Sequence, residues 1–83
     1  MVFEIGRLCV KTAGRDAMQY CVVVEEVDNN FVIVDGNTRR KKVNKLHIEP
    51  LSKVLKIKKG ALTAEVLALF EKEGIEVKKK VNE

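Results

Sequence analysis

The sequence predicts a single small domain, mainly β, in which a barrel of short strands carries one C-terminal helix. Three observations predict it. The chain has 83 residues, room for one compact core and no second domain. Between residues 6 and 58 the apolar residues alternate or come in short runs, as strands require. From Leu62 to Phe70 the apolar period becomes that of a helix.

The elements follow in chain order. Residues 6–12 alternate, with Leu8 and Val10 on one side and Arg7, Cys9 and Lys11 on the other. Thr12-Ala13-Gly14-Arg15-Asp16 is a loop, and Gly14 supplies its permissive backbone. Residues 18–27 and 31–35 make two strands joined by the turn signal Asp28-Asn29-Asn30. That hairpin is apolar on both faces, Val22 and Val24 against Cys21 and Val23. In so short a chain this fits a strongly bent strand serving two sheets of a small barrel. Gly36-Asn37 breaks the third strand. Residues 45–49 form a short strand with Leu46 and Ile48 inward, ended by Pro50. Residues 53–58 are the fifth, with Leu55 and Ile57 as its apolar face.

The barrel therefore spans residues 3–58 and the helix 61–74. Leu62, Val66, Leu69 and Phe70 form the helix's docking stripe. Thr63 is the expected N-cap, Glu65 sits in the positive first turn, and Gly74 ends the helix. Residues 75–83, with Lys78-Lys79-Lys80, are expected to fray. Phe3, Phe31 and Phe70 read as core. Tyr20 alternates inward with Val22, which favours a core role over stacking on a base.

Apolar residues in tight runs exclude a disordered chain, and no apolar stretch approaches the ~18 residues of a membrane span. The N-terminus lacks the basic-then-apolar order of a signal peptide, so the protein is expected to stay where it is made. Cys9 and Cys21 form no Cys-x-x-Cys, and His47 is the one histidine, which leaves no four-ligand zinc site without carboxylates. Both cysteines read as reduced core residues, with a disulfide the less favoured alternative.

The charge is unevenly spread. Residues 1–36 carry three basic and six acidic residues, and residues 61–83 four and five. Residues 37–60 carry nine basic and one acidic, a net charge of +8. Such blocks commonly meet phosphate, because neutralising phosphates releases condensed counterions. The plainer reading is a solvated charged face. The contiguous Arg39-Arg40-Lys41-Lys42 raises nucleic acid above it. His47, flanked by Leu46 and Ile48, falls on the polar face beside this run, facing solvent or phosphate rather than a metal.

Catalytic groupings are nearly absent. Glu25 and Glu26 are neighbours on a strand and point to opposite faces, so they cannot easily share a proton. Cys9 or Cys21 with His47 would lack an orienting third group. No phosphate-cradling glycine pattern occurs. No catalytic residue, metal or cofactor is expected. Aromatic residues are only 5%, too few for a stacking platform, so the expected contact is to phosphate and sugar.

Glu4-Ile5-Gly6-Arg7-Leu8-Cys9-Val10, then Gly14-Arg15-Asp16, Val22-Val23-Val24 and Val34-Asp35-Gly36 resemble a KOW motif. That motif is a β-loop-β unit of an SH3-like barrel, found in ribosomal proteins and transcription elongation factors. Arg39-Arg40, Asn44-Lys45-Leu46-His47, Leu55-Lys56-Ile57 and the C-terminal helix extend the resemblance. Over roughly residues 3–75 the chain is similar to the large-subunit ribosomal protein fourteen-e family of archaea and eukaryotes, in its short archaeal form. The resemblance implies an SH3-like barrel with a helical C-terminus. It also implies a structural role in the large ribosomal subunit, bound to ribosomal RNA beside neighbouring ribosomal proteins. The protein is then cytoplasmic, ribosome-associated, free of any membrane and monomeric when unbound. The loop 37–45, with Arg39, Arg40, Lys41, Lys42 and Lys45, is expected to lie against RNA. Arg7, Lys11, Arg15 and His47 extend the contact. Where the family often has a second glycine, this chain has Ala17-Met18-Gln19, so Met18 packs or contacts a sugar face. The rival readings are a KOW-type transcription factor domain and a small basic DNA-binding protein with an SH3-like barrel.

Overall fold

The computed structural model describes residues 3–14 and 17–77. Five strands and one helix appear: β1 (Arg7–Lys11), β2 (Tyr20–Glu26), β3 (Phe31–Gly36), β4 (Lys41–Asn44), β5 (Ile48–Val54) and α1 (Thr63–Lys72). A 3-10 turn, Lys45–His47, joins β4 to β5. The strands pair antiparallel in the order β4-β3-β2-β1-β5. The ladder is not closed, yet its two edge strands are separated by only the three residues of the turn. The sheet must therefore curl until its edges adjoin. Irregular pairing at Val23/Glu25 and at Arg7/Cys9 supplies places to bend.

Inside the curl, Cys9, Cys21, Val23, Val32, Val34, Val43 and Ile48 pack together. On the outer face, Leu8, Val22 and Val24 join Leu55, Ala61, Val66 and Phe70. Both faces of β2 are thus buried, one by the curl and one by the helix. This is the small SH3-like, KOW-type fold that the double-faced hairpin predicts. Both cysteines are buried and neither forms a disulfide.

Helix docking depends on one glycine. Gly36 has φ +127°, and a Cβ there would lie 2.7 Å from the ring of Phe70. Its flatness is what lets the fully buried ring reach the sheet. At the other end, Gly74 (φ +80°) donates its N–H to the Glu71 carbonyl at 3.1 Å, and Ile75 donates to Phe70 at 2.8 Å. These paired bonds satisfy the last carbonyls and stop the helix where Gly74 predicts. Asn37 then donates its side-chain amide to the Glu76 carbonyl at 2.7 Å, and Ile75 and Val77 pack on the outer cluster. The start of the segment expected to fray is docked; residues 78–83 lie outside the described ones.

Several expectations are corrected. Residues 41–44 are an edge strand, since only Val43 points inward and the flanking lysines are solvated. Leu46 is exposed, because a 3-10 turn replaces the alternation of a strand. Pro50 lies within β5, at the edge of the sheet where its missing N–H is tolerated. Strand β5 ends at Val54, so Leu55 and Ile57 belong to the connection to α1. Leu62 is the N-cap residue and is exposed, while Leu67 takes its place in the buried stripe. The Glu65 carboxylate accepts the Leu62 N–H at 3.0 Å, leaving Thr63 for another role. Tyr20 is exposed and Phe31 only half-buried.

Candidate nucleic-acid interface

The nine basic positions singled out by the sequence divide three ways. Arg7 and Lys11 turn inward. Arg7 donates through Nη1 to the Leu51 carbonyl at 2.8 Å and through Nη2 to Glu4 Oε1 at 2.7 Å. That hydrogen bond, with the guanidinium's charge, holds the Glu4 carboxyl below its ordinary range. Lys11 is 4% exposed, and its Nζ donates to the Ala13 carbonyl at 2.8 Å. It props the loop after β1 from beneath. Arg15, in that loop, lies outside the described residues.

Arg40 belongs to a seam between β3 and α1. Its Nη1 donates to Asp35 Oδ2 at 3.0 Å and to the Ala61 carbonyl at 2.6 Å. Asp35 is fully buried; its other oxygen accepts the Gly36 N–H at 2.8 Å, and Thr63 Oγ1 donates to Oδ2. A buried carboxylate is tolerable only when paired and hydrogen-bonded in this way. Asp35 was a legible signal for the seam, since an acid closing the apolar run Val32-Ile33-Val34 needs a cation nearby.

The remaining basic positions point outward. Arg39, Lys41, Lys42 and His47 are exposed, and Lys45 is partly so, along β4 and the 3-10 turn. Lys42 Nζ sits 5.0 Å from the centre of the Phe31 ring, and Lys45 Nζ 5.5 Å from that of Phe3. Ring contacts of this kind fix the height of an ammonium above the sheet without neutralising it. The turn itself is held at four points. Asn44 Oδ1 accepts the Leu46 N–H at 2.9 Å, Lys45 donates to the Asn30 carbonyl at 2.9 Å, the Lys45 carbonyl accepts from Ile48, and Thr12 donates to the His47 carbonyl at 2.8 Å. Lys56, Lys58 and Lys59 are also exposed, in the connection beyond β5. The basic block thus splits between the two edges of the ladder, which counting charges along the sequence cannot reveal.

No family model matches the chain. Curated relatives do. A large ribosomal subunit protein eL14 of Methanococcus vannielii is 44% identical over 72 residues, 87% of this chain and 94% of that protein. The namesake of Sulfolobus acidocaldarius is 48% identical over 77 residues, 87% of this chain and 80% of the relative. The chain belongs to the eL14 family. A third eL14 protein, of Metallosphaera sedula, is 43% identical over 79 residues, 89% of this chain and 82% of its own. All three are archaeal, as the resemblance implies for the short form.

Proposed function

We propose that this chain is a non-catalytic structural component of the large ribosomal subunit. It works in the cytoplasm on ribosomes, is monomeric before assembly and packs beside other large-subunit proteins. It holds ribosomal RNA mainly by phosphate and sugar contacts. The observation that carries the RNA reading is the row of outward cations, Arg39, Lys41, Lys42 and Lys45, with the exposed His47 beside them on the same edge. Arg15 is assigned to the same contact on the family resemblance alone. Arg7, Lys11 and Arg40 shape that surface rather than touch the RNA.

The test is the salt dependence of binding to transcribed large-subunit ribosomal RNA. Each phosphate that is no longer neutralised should flatten the log–log salt slope by about 0.7–0.9. Changing Lys41, Lys42 and Lys45 to alanine should weaken binding strongly and flatten the slope about three times that much. Changing Lys78, Lys79 and Lys80 removes as many charges and should matter less. Equal losses would mean that net charge alone drives binding. Tighter binding to duplex DNA, with no co-sedimentation with large subunits, would favour the DNA-binding alternative.

A further inference from the structure

The end of the barrel that carries these cations also carries two large apolar side chains in solvent. Leu46 is 86% exposed and Met18 is 78% exposed, the two highest values for large hydrophobic side chains among the described residues. Neither sits on a floppy excursion. Leu46 is the middle residue of the four-times-tethered 3-10 turn. Met18 holds a left-handed backbone, φ 70°, fixed by its N–H donating to the Lys11 carbonyl at 2.6 Å. Both tethers converge on adjacent residues of β1's end: Lys11 accepts from Met18, and Thr12 donates to His47 next to Leu46. Below them the buried Lys11 ammonium braces the loop through Ala13. A residue with a Cβ in the left-handed region costs roughly 1 kcal/mol, and an apolar side chain in water gains nothing from burial. The fold supports both at once, on one end.

We propose that Leu46 and Met18 form an apolar tip that packs against ribose and base faces of the bound RNA, between phosphates gripped by the surrounding cations. The occupant is RNA because cations flank the tip: Lys45 adjoins Leu46, and Lys41 and Lys42 lie on the strand leading to it. A protein surface shaped for this tip would have to be acidic around an apolar pocket. The inference rests on the RNA-binding reading above and adds a salt-independent component to it. Phosphate contacts release counterions and set the slope; apolar contact with nucleosides releases none and shifts affinity at every salt concentration.

The experiment is a salt titration of binding to transcribed large-subunit ribosomal RNA with the full chain, Leu46→Ala/Met18→Ala and Leu46→Met. Both positions are exposed, so circular dichroism and the thermal midpoint serve as fold checks. The double variant should bind about ten-fold more weakly at every salt concentration, with the slope unchanged, because truncating two apolar side chains removes on the order of one decade of affinity. Leu46→Met keeps apolar bulk and should stay near wild type. Unchanged affinity in the double variant overturns the proposal, as does a loss accompanied by a flatter slope. Intact RNA affinity with failed incorporation into large subunits would mean that the tip meets a protein, and also overturns it. A lysine-to-alanine set that leaves the slope unchanged defeats the phosphate reading instead, so the two failures are distinguishable.

Discussion

Two neighbouring parts of one basic segment do opposite things. At the seam, Arg40 reaches back to the buried Asp35 and to Ala61, joining β3 to the approach of α1. One residue on, β4 begins and its two lysines stand in solvent, Lys42 over the Phe31 ring, with Lys45 of the 3-10 turn over Phe3. A run of four cations reads as one feature in the sequence, yet one of the four is structural. The deciding factor is an acid on the neighbouring strand: a buried carboxylate captures the nearest guanidinium because leaving it unpaired costs more than any exposed pair returns.

The comparison breaks hardest at the seam's packing. Phe70→Ala removes a fully buried ring and should destabilise by about 3–5 kcal/mol. Gly36→Ala should approach that range, because strain at φ +127° adds to a collision with the same ring. Urea unfolding of both variants checks this. If Gly36→Ala were neutral, the helix would not dock as described.

Next comes the ion pair. Arg40→Ala takes the guanidinium away from the buried Asp35 carboxylate and should cost about 3 kcal/mol. Lys41→Ala should stay within about 0.5 kcal/mol. Under conditions where both are folded, the order reverses for RNA: Lys41→Ala flattens the salt slope and Arg40→Ala leaves it unchanged. A slope change in Arg40→Ala would move that residue from the seam to the interface.

The third test concerns the interior beneath the edge, where Cys9 packs with Val43 and Ile48 on either side of the turn. Burial pushes the Cys9 thiol up to about 12. The folded thiol keeps its proton where the unfolded one, near about 8.5, releases it. Between those values the unfolded state binds fewer protons, so stability is whole below about pH 8.5 and falls as pH rises. By pH 10.5 the loss from this thiol should be about 2.7 kcal/mol. Comparing wild type with Cys9→Ala by thermal unfolding from pH 8 to 10.5 isolates it from the other titrating groups; parallel curves would refute it.

The sequence carried the seam and the edge unequally. The strand pairs around Asp28, the double-faced hairpin, the helical period and the Gly74 stop are all local patterns, and local patterns survive folding. The turn at Asp28 forms because its carboxylate accepts the N–H groups of Asn30 and Phe31. Strand β4 was hidden because an edge strand needs one inward residue, Val43, and solvates the rest. Leu46 departs from the inward position that alternation predicts because the Asn44 cap imposes a different period on the turn. Asp35 announces that some cation must meet it, but which cations turn back onto the protein, and what they meet, is not legible. Arg7 finds Leu51 across 44 positions of chain and Arg40 finds Ala61 across 21, and no spacing rule announces such meetings.

The smallest effect is the most discriminating, because it has one sign for stability and the other for binding. Met18 holds a left-handed backbone that glycine adopts freely. Met18→Gly should relieve that strain, offset in part by the greater freedom of glycine in the unfolded chain, for a net stabilisation of up to about 1 kcal/mol. Met18→Ala keeps the strain and should not stabilise. If Met18 serves only the loop, glycine is the better residue and RNA binding is untouched. If it forms the apolar tip, Met18→Gly gains stability and loses affinity, and Met18→Ala loses affinity alone. Urea midpoints and RNA titrations on the same two variants separate these cases. A glycine variant both more stable and equally tight would remove Met18 from the tip and leave Leu46 as its whole content.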